Sequence, residues 1–397
     1  MHQQITMSPP KRTRQDLVAE LEALLQKSVD RGAPGVSAAV ASSDDIIWES
    51  AKGKSDIVGD RPLDSHHHFG IGSITKVFVA VVILQLVDES KLALSNTVDK
   101  ILNPEVYAGI ENAGQASIER LLSHHAGIDS WEDEPSWIVR GRGKDIRNDH
   151  IWGKTEALDY VRRPRVTAPE PGQGYYSNTN YTLLGLIIEK ITGQTAEKEI
   201  RSRILEPLDM DQTYFEGFEE AKHPEHLPHR YHWATDRFRD TAGVAPSFPY
   251  VRDNIIEVTP SNLSTSWTAG GMISSVHDLL KFASALRDGR LLGSASKDIL
   301  KDWKPFPDSS QQVGHGIFRW DSLGTSNESW LGHTGGVLGF SAFLLWREEG
   351  DCAVCVLSNV GSVHSGDVPA NAVTVVKRSN FLEIAAELAG ISKKSAA

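Results

Sequence analysis

Cysteine is nearly missing from this 397-residue chain: Cys352 and Cys355 are all it has. Two cysteines cannot form the disulfide framework of a small secreted domain, and a chain this long needs none to build a core. Their C-x-x-C spacing is that of redox pairs. Here it falls in the alternating apolar run DCAVCVLSNV, where residues three apart point to opposite faces of a strand. The pair therefore reads as two small buried residues. Basic residues are also in deficit, with 41 Lys and Arg against 52 Asp and Glu and a net charge of −11. That excludes a protein that neutralises a phosphate backbone over a broad surface, and it argues against anionic membranes as a partner. The longest apolar run, residues 77 to 87, is too short to span a bilayer. The N-terminus, MHQQITMSPPKRTRQ, lacks an apolar stretch of signal-peptide length, so a cytoplasmic location is expected.

What is present alternates between strand and helix patterns. Leu17, Leu21, Leu24, Leu25 and Val29 recur at helical steps and predict a helix over 13–31 that Gly32 and Pro34 terminate. Two strands follow at 35–41 and 45–53, joined by SSDD. Ser73 opens an apolar helix whose lack of a polar face marks it as central and buried. From 92 to 260, helical segments (116–123, 154–163, 179–192, 195–205) dominate, and 218–256 reads as one long irregular excursion. Beyond it, a helix over 274–289 precedes strands at 316–322, 329–333, 341–350 and 352–359, and a last helix covers about 380–389. The predicted class is a mixed α/β fold with a central antiparallel sheet flanked by helices and an all-helical second domain. The expected boundaries are 12–92 with 262–397 for the discontinuous α/β domain and 93–261 for the helical one. Segments 1–11 and 392–397 are expected to be flexible tails. A cleft between the two domains is where a ligand would sit.

Three short motifs could carry chemistry. Ser73-Ile74-Thr75-Lys76 places an amine one helical turn from a hydroxyl, and a serine becomes nucleophilic only when a neighbouring base takes its proton. A lysine among apolar side chains at a helix N-terminus is pushed toward its neutral form. Tyr176-Ser177-Asn178 follows a Pro/Gly-rich loop. Tyr176 could pass a proton if a nearby cation lowered its pKa from about 10, and Asn178 could hold the lysine and a substrate carbonyl. In His333-Thr334-Gly335-Gly336, the glycines permit close approach, and the Gly336 N–H could face that of Ser73 as an oxyanion donor.

Taken in order, the blocks at 73, 176 and 333 resemble the superfamily of class C β-lactamases and D-alanyl-D-alanine carboxypeptidases, in its esterase-like family VIII branch. LLSHHAGI (121–128), PGQGYYSNTNYTLLGLIIEKITG (171–193), EPLDM (206–210) and TAGGMISSVHDLLKFASAL (268–286) extend the resemblance over roughly residues 30 to 360. It implies Ser73 as the acylated residue, Lys76 as its base, Tyr176 as proton-transfer partner, and Asn178, His333, Thr334 and Gly335 as substrate-positioning residues. The sequence departs from the β-lactamases at His333, where a lysine would help to anchor a substrate carboxylate. An imidazole does this less well at neutral pH.

The expected function is therefore hydrolysis of a carboxylic ester through an acyl-Ser73 intermediate, with a small ester, lactone or amide as substrate. Two alternatives stand beside it: an acyltransferase using an alcohol or amine acceptor, and a β-lactamase or D-amino-acid peptidase. Neither cofactor nor metal is needed. His66 to His68 read as a polar loop, because three consecutive histidines on an extended chain cannot all face one ion. His124 and His125 read as structural residues of the loop lining the cleft. Trp131, Trp137, Trp152 and Trp233 read as packing residues, and Asp236 and Asp240 as solvated carboxylates. No G-x-S-x-G elbow supports a Ser-His-Asp triad. Nothing in the sequence sets the oligomeric state.

Overall fold

The computed structural model describes residues 12–163, 169–307 and 310–396. Its centre is a nine-stranded antiparallel sheet. In chain order the strands are β1 (Gly35–Ser42), β2 (Asp45–Asp56), β3 (Arg61–Pro62), β4 (Lys304–Pro305), β5 (Gln311–Val313), β6 (Phe318–Trp320), β7 (Trp330–Val337), β8 (Phe340–Arg347) and β9 (Cys352–Ser358). They lie in the order β4-β5-β6-β7-β8-β9-β1-β2-β3, so the N-terminal hairpin adds to the edge of a C-terminal meander. Both faces are covered, which explains why all eight residues of β1 are buried. Along β9, Cys352, Val354 and Val356 enter one core, while Ala353, Cys355 and Leu357 enter the other. The two cysteines are thus free, buried and on opposite faces.

One face is covered by α1 (Arg14–Asp30) and the C-terminal helix, which runs over Phe381–Ala396. That helix continues through most of the segment expected as a fraying tail, whereas the leader 1–11 lies outside the described residues. On the other face lie α2 (Thr75–Asp88) and the Val276–Arg287 helix, joined by stacking of Phe78 on Phe282 at 3.8 Å. Ten successive residues of α2, Thr75 to Leu84, are buried. The helix is therefore as central as its uniformly apolar sequence suggests.

The 218–256 excursion is more regular than its composition suggests. Tyr231–Trp233, Tyr250–Arg252 and Ile255–Glu257 form a four-stranded sheet with Val360–Gly361, and Asp236–Thr241 is helical. Strands of three residues are too short to display a period of two, and the pairing of Tyr231 with Val360 links positions far apart in the chain. Arg230, 2% exposed, pins this unit by an ion pair with Glu216 and a 2.8 Å hydrogen bond to the Ser261 carbonyl. Among the described residues, no helix is long and apolar enough to cross a membrane.

Candidate active site

Ser73 lies in a 3-10 turn, Gly72–Ile74, directly before α2. The turn is built for close approach. Gly72 has φ +52°, and a side chain there would meet the Gly336 nitrogen at 2.6 Å. A Cβ on Gly335 would fall 1.9 Å from the Ile71 carbonyl oxygen. Glycine is required at both places because the serine turn packs directly on the backbone of β7. Strand β6 pairs with β7 only over Trp330–Gly332, so, among the described residues, positions 333 to 337 have a strand neighbour on one side alone. The Gly336 and Ser73 backbones are thereby neighbours, as two oxyanion donors must be.

Lys76 rises from the first turn of α2 and is completely buried. Its Nζ lies 3.0 Å from Ser73 Oγ, 2.6 Å from Asn178 Oδ1 and 2.6 Å from the Ala269 carbonyl oxygen. Burial pushes its pKa down to about 7, with Glu132 opposing the shift and Arg142 reinforcing it. A neutral amine has two N–H donors and one lone pair. Amide and carbonyl oxygens can only accept, so they take both donors and leave the lone pair to the Ser73 hydroxyl.

The orientation of Asn178 is itself fixed. Its Nδ2 donates to Glu132, and a carboxylate accepts only, so Oδ1 must face the lysine. Glu132 is in turn ion-paired with Arg142, whose guanidinium lies 5.0 Å over Trp137 and 3.2 Å from His364 Nε2. Burial works against charge on Glu132, but Arg142, His364 and Lys76 outweigh it and hold the carboxyl below its usual range. Sequence reasoning missed Glu132, Arg142 and the Ala269 carbonyl. Both ends of the Asn178 amide are engaged by the protein, which gives it a holding role toward the lysine.

The loop that delivers Tyr176 is laced to residues 124–130. The Tyr175 N–H donates to the His124 carbonyl at 2.8 Å, the Ser177 N–H to His124 Nδ1 at 3.1 Å, and the Asn178 N–H to Ser130 Oγ at 3.2 Å. His124, at φ +59°, stacks beneath Tyr176 with ring centroids 4.3 Å apart. Burial holds this imidazole well below its ordinary pKa, so it supports the phenol as a neutral ring. Lys76 Nζ lies 4.9 Å from the Tyr176 ring centroid. Burial raises the Tyr176 pKa, and the neighbouring Ser73 side chain offsets this only in part. The condition set by the sequence, a cation that lowers this pKa, is thus not met. Tyr176 therefore stays a protonated phenol at neutral pH.

His333 is 2% exposed, with Phe318 edge-on at 5.1 Å and Tyr176 at 6.2 Å. Its Nδ1 hydrogen bonds to the Thr334 carbonyl at 2.5 Å. Burial, then the proximity of Lys76, pushes its pKa down to about 3, so it carries no charge with which to hold a carboxylate. Thr334 points to the opposite face of β7. The remaining singled-out residues lie in supporting positions. Trp131, Trp137 and Trp152 form a cluster with centroids 4.6 and 6.5 Å apart, and Trp233 Nε1 donates to the Ala370 carbonyl at 2.8 Å. Asp236 pairs with Arg239. Of the histidine run, His68 departs from the polar-loop reading: it is 1% exposed.

The chain is 28% identical over 289 residues to esterase EstB of Burkholderia gladioli, covering 68% of this chain and 70% of the esterase. The structure is similar to D-amino acid amidase from Ochrobactrum anthropi SV3 complexed with D-phenylalanine. That match has a TM-score of 0.78 and 27% identity, and it covers 95% and 99% of the two chains. A D-stereospecific amidohydrolase from Streptomyces matches with a TM-score of 0.73 and 25% identity over 86% and 94%. The beta-lactamase family model matches residues 16–375, and the chain therefore belongs to the beta-lactamase family, as an enzyme of the serine-hydrolase type.

Proposed function

We propose that this enzyme hydrolyses small amides, those of D-amino acids foremost, and the corresponding carboxylic esters, through an acyl-Ser73 intermediate. The observation that carries the reading is the buried Lys76 amine 3.0 Å from Ser73 Oγ, held by the Asn178 amide oxygen and the Ala269 carbonyl. Lys76 takes the hydroxyl proton as Ser73 Oγ bonds to the substrate carbonyl carbon, and the carbonyl oxygen becomes an oxyanion facing the Ser73 and Gly336 N–H groups. Collapse breaks the bond to the leaving amine or alcohol, which receives a proton from Tyr176. Tyr176 regains a proton from Lys76. Water then attacks the acyl carbon as Lys76 takes one of its protons; collapse breaks the acyl–Oγ bond, Lys76 hands that proton to Ser73 Oγ, and the acid leaves.

His333 favours a substrate without a free carboxylate at the recognition end, because a neutral buried imidazole supplies no counter-charge. That supports an amino-acid amide or simple ester over a β-lactam or a peptide C-terminus. The similarity to D-amino acid amidase over nearly the whole of both chains supports the amide, and the similarity to esterase EstB supports the ester.

The test is a panel of D- and L-phenylalanine amide, p-nitrophenyl butyrate and nitrocefin, each with and without an added alcohol. The expected order places the D-amide and the ester at least about a hundredfold above nitrocefin in kcat/KM. Preference for the L-amide, or nitrocefin as the fastest substrate, would overturn the substrate class. Acyl transfer to the alcohol in preference to water would assign the enzyme as an acyltransferase instead.

A further inference from the structure

Two features play no part in the hydrolytic site: the His66–His68 run and the excursion that begins near residue 218. The structure joins them. At the Pro224–His226 turn, ligand atoms of His223, Glu225 and His226 all lie within 4.8 Å of one another. The rings of His223 and His226 stack with centroids 5.4 Å apart, and Glu225 Oε1 lies 3.3 Å from His223 Nδ1. His68 packs against this turn from the protein side. Its N–H donates to the His226 carbonyl at 2.9 Å, and its ring stands edge-on to His226 at 5.3 Å.

His68 is 1% exposed, and neither of its ring nitrogens has a hydrogen-bond partner; His226 Nδ1 is buried and unpartnered as well. Buried polar atoms without partners are costly and call for a ligand. Imidazoles and one carboxylate are the donor set that divalent zinc prefers.

We propose that His223, Glu225 and His226 bind a zinc-type divalent cation, with the buried His68 packed behind His226. The site would brace the turn that His68 ties to the segment leading into Ser73, five residues after it. Its role is structural, outside the hydrolytic steps. Among the described residues a second such cluster, Glu119 with Asp302 and His315, already has its cation, because Lys304 pairs with both carboxylates.

Titrating Zn²⁺ into chelator-treated, tag-free full-length protein tests this by calorimetry and thermal melting. One equivalent should bind and raise Tm, as a ligand selective for the native state must. The exposed-side double variant H223A/H226A should weaken the affinity by at least about tenfold and lose the Tm rise. His66 stacks on His277 outside the cluster, so H66A should bind zinc as the wild type does. Unchanged zinc affinity in H223A/H226A would overturn the assignment. So would loss of binding in H66A, or no binding to the wild type up to about 100 µM.

Discussion

Replacing Lys76 with alanine lowers kcat/KM for an activated ester by about 10³- to 10⁴-fold, the contribution of a general base whose loss also leaves the serine unactivated. Arginine at this position does no better. It keeps the charge but cannot release a proton, so K76R separates a base from a cation that merely holds the site together. The wild-type pH profile carries the same information. A base with a pKa of about 7 is protonated and idle below that value and neutral above it. Accordingly, kcat/KM rises with pH, gaining about tenfold per unit on the acid side, and levels off above about 7. A K76R enzyme within tenfold of wild type, or a profile flat from pH 5 to 8, would contradict the assignment of Lys76 as the base.

The second large effect belongs to residues that no motif points to. Glu132 raises the Lys76 pKa, so E132Q shifts the acid limb to lower pH. The same change leaves the Arg142 guanidinium, with only 4% of its side chain exposed, without its carboxylate. Breaking a buried ion pair from one side costs about 3–5 kcal/mol, and the loss is measurable by urea denaturation. The double variant E132Q/R142Q removes the orphaned charge as well, and it should be less destabilised than the sum of the two single changes. An unmoved acid limb together with strictly additive stabilities would show that Glu132 neither faces the lysine nor depends on Arg142.

These two cases mark how far the sequence could be read. Ser73, Lys76, Tyr176 and Asn178 lie in short ordered motifs, and the structure brings them within hydrogen-bonding or ring contact of one another. The opposed faces of Cys352 and Cys355 follow from the two-residue period of a strand, which any sequence displays. Glu132 and Arg142 have no such signature. Glu132 meets Asn178 across 46 positions, and its neighbourhood, GIDSWEDEPSW, holds four acids of which only the fold selects one. The excursion was illegible for a related reason: its strand Tyr231–Trp233 is paired with Val360–Gly361, more than a hundred residues away. The upward shift of the Tyr176 pKa was also hidden, because burial is a property of the folded surroundings and not of the triplet.

The central claim is that Ser73 is the nucleophile that Lys76 activates. The most direct measurement is covalent labelling of the purified protein with a fluorophosphonate, comparing wild type with S73A. A single label on the Ser73 peptide, absent in S73A and slowed at least about a thousandfold in K76A, is the result this account predicts. Equal labelling of wild type and S73A would contradict it.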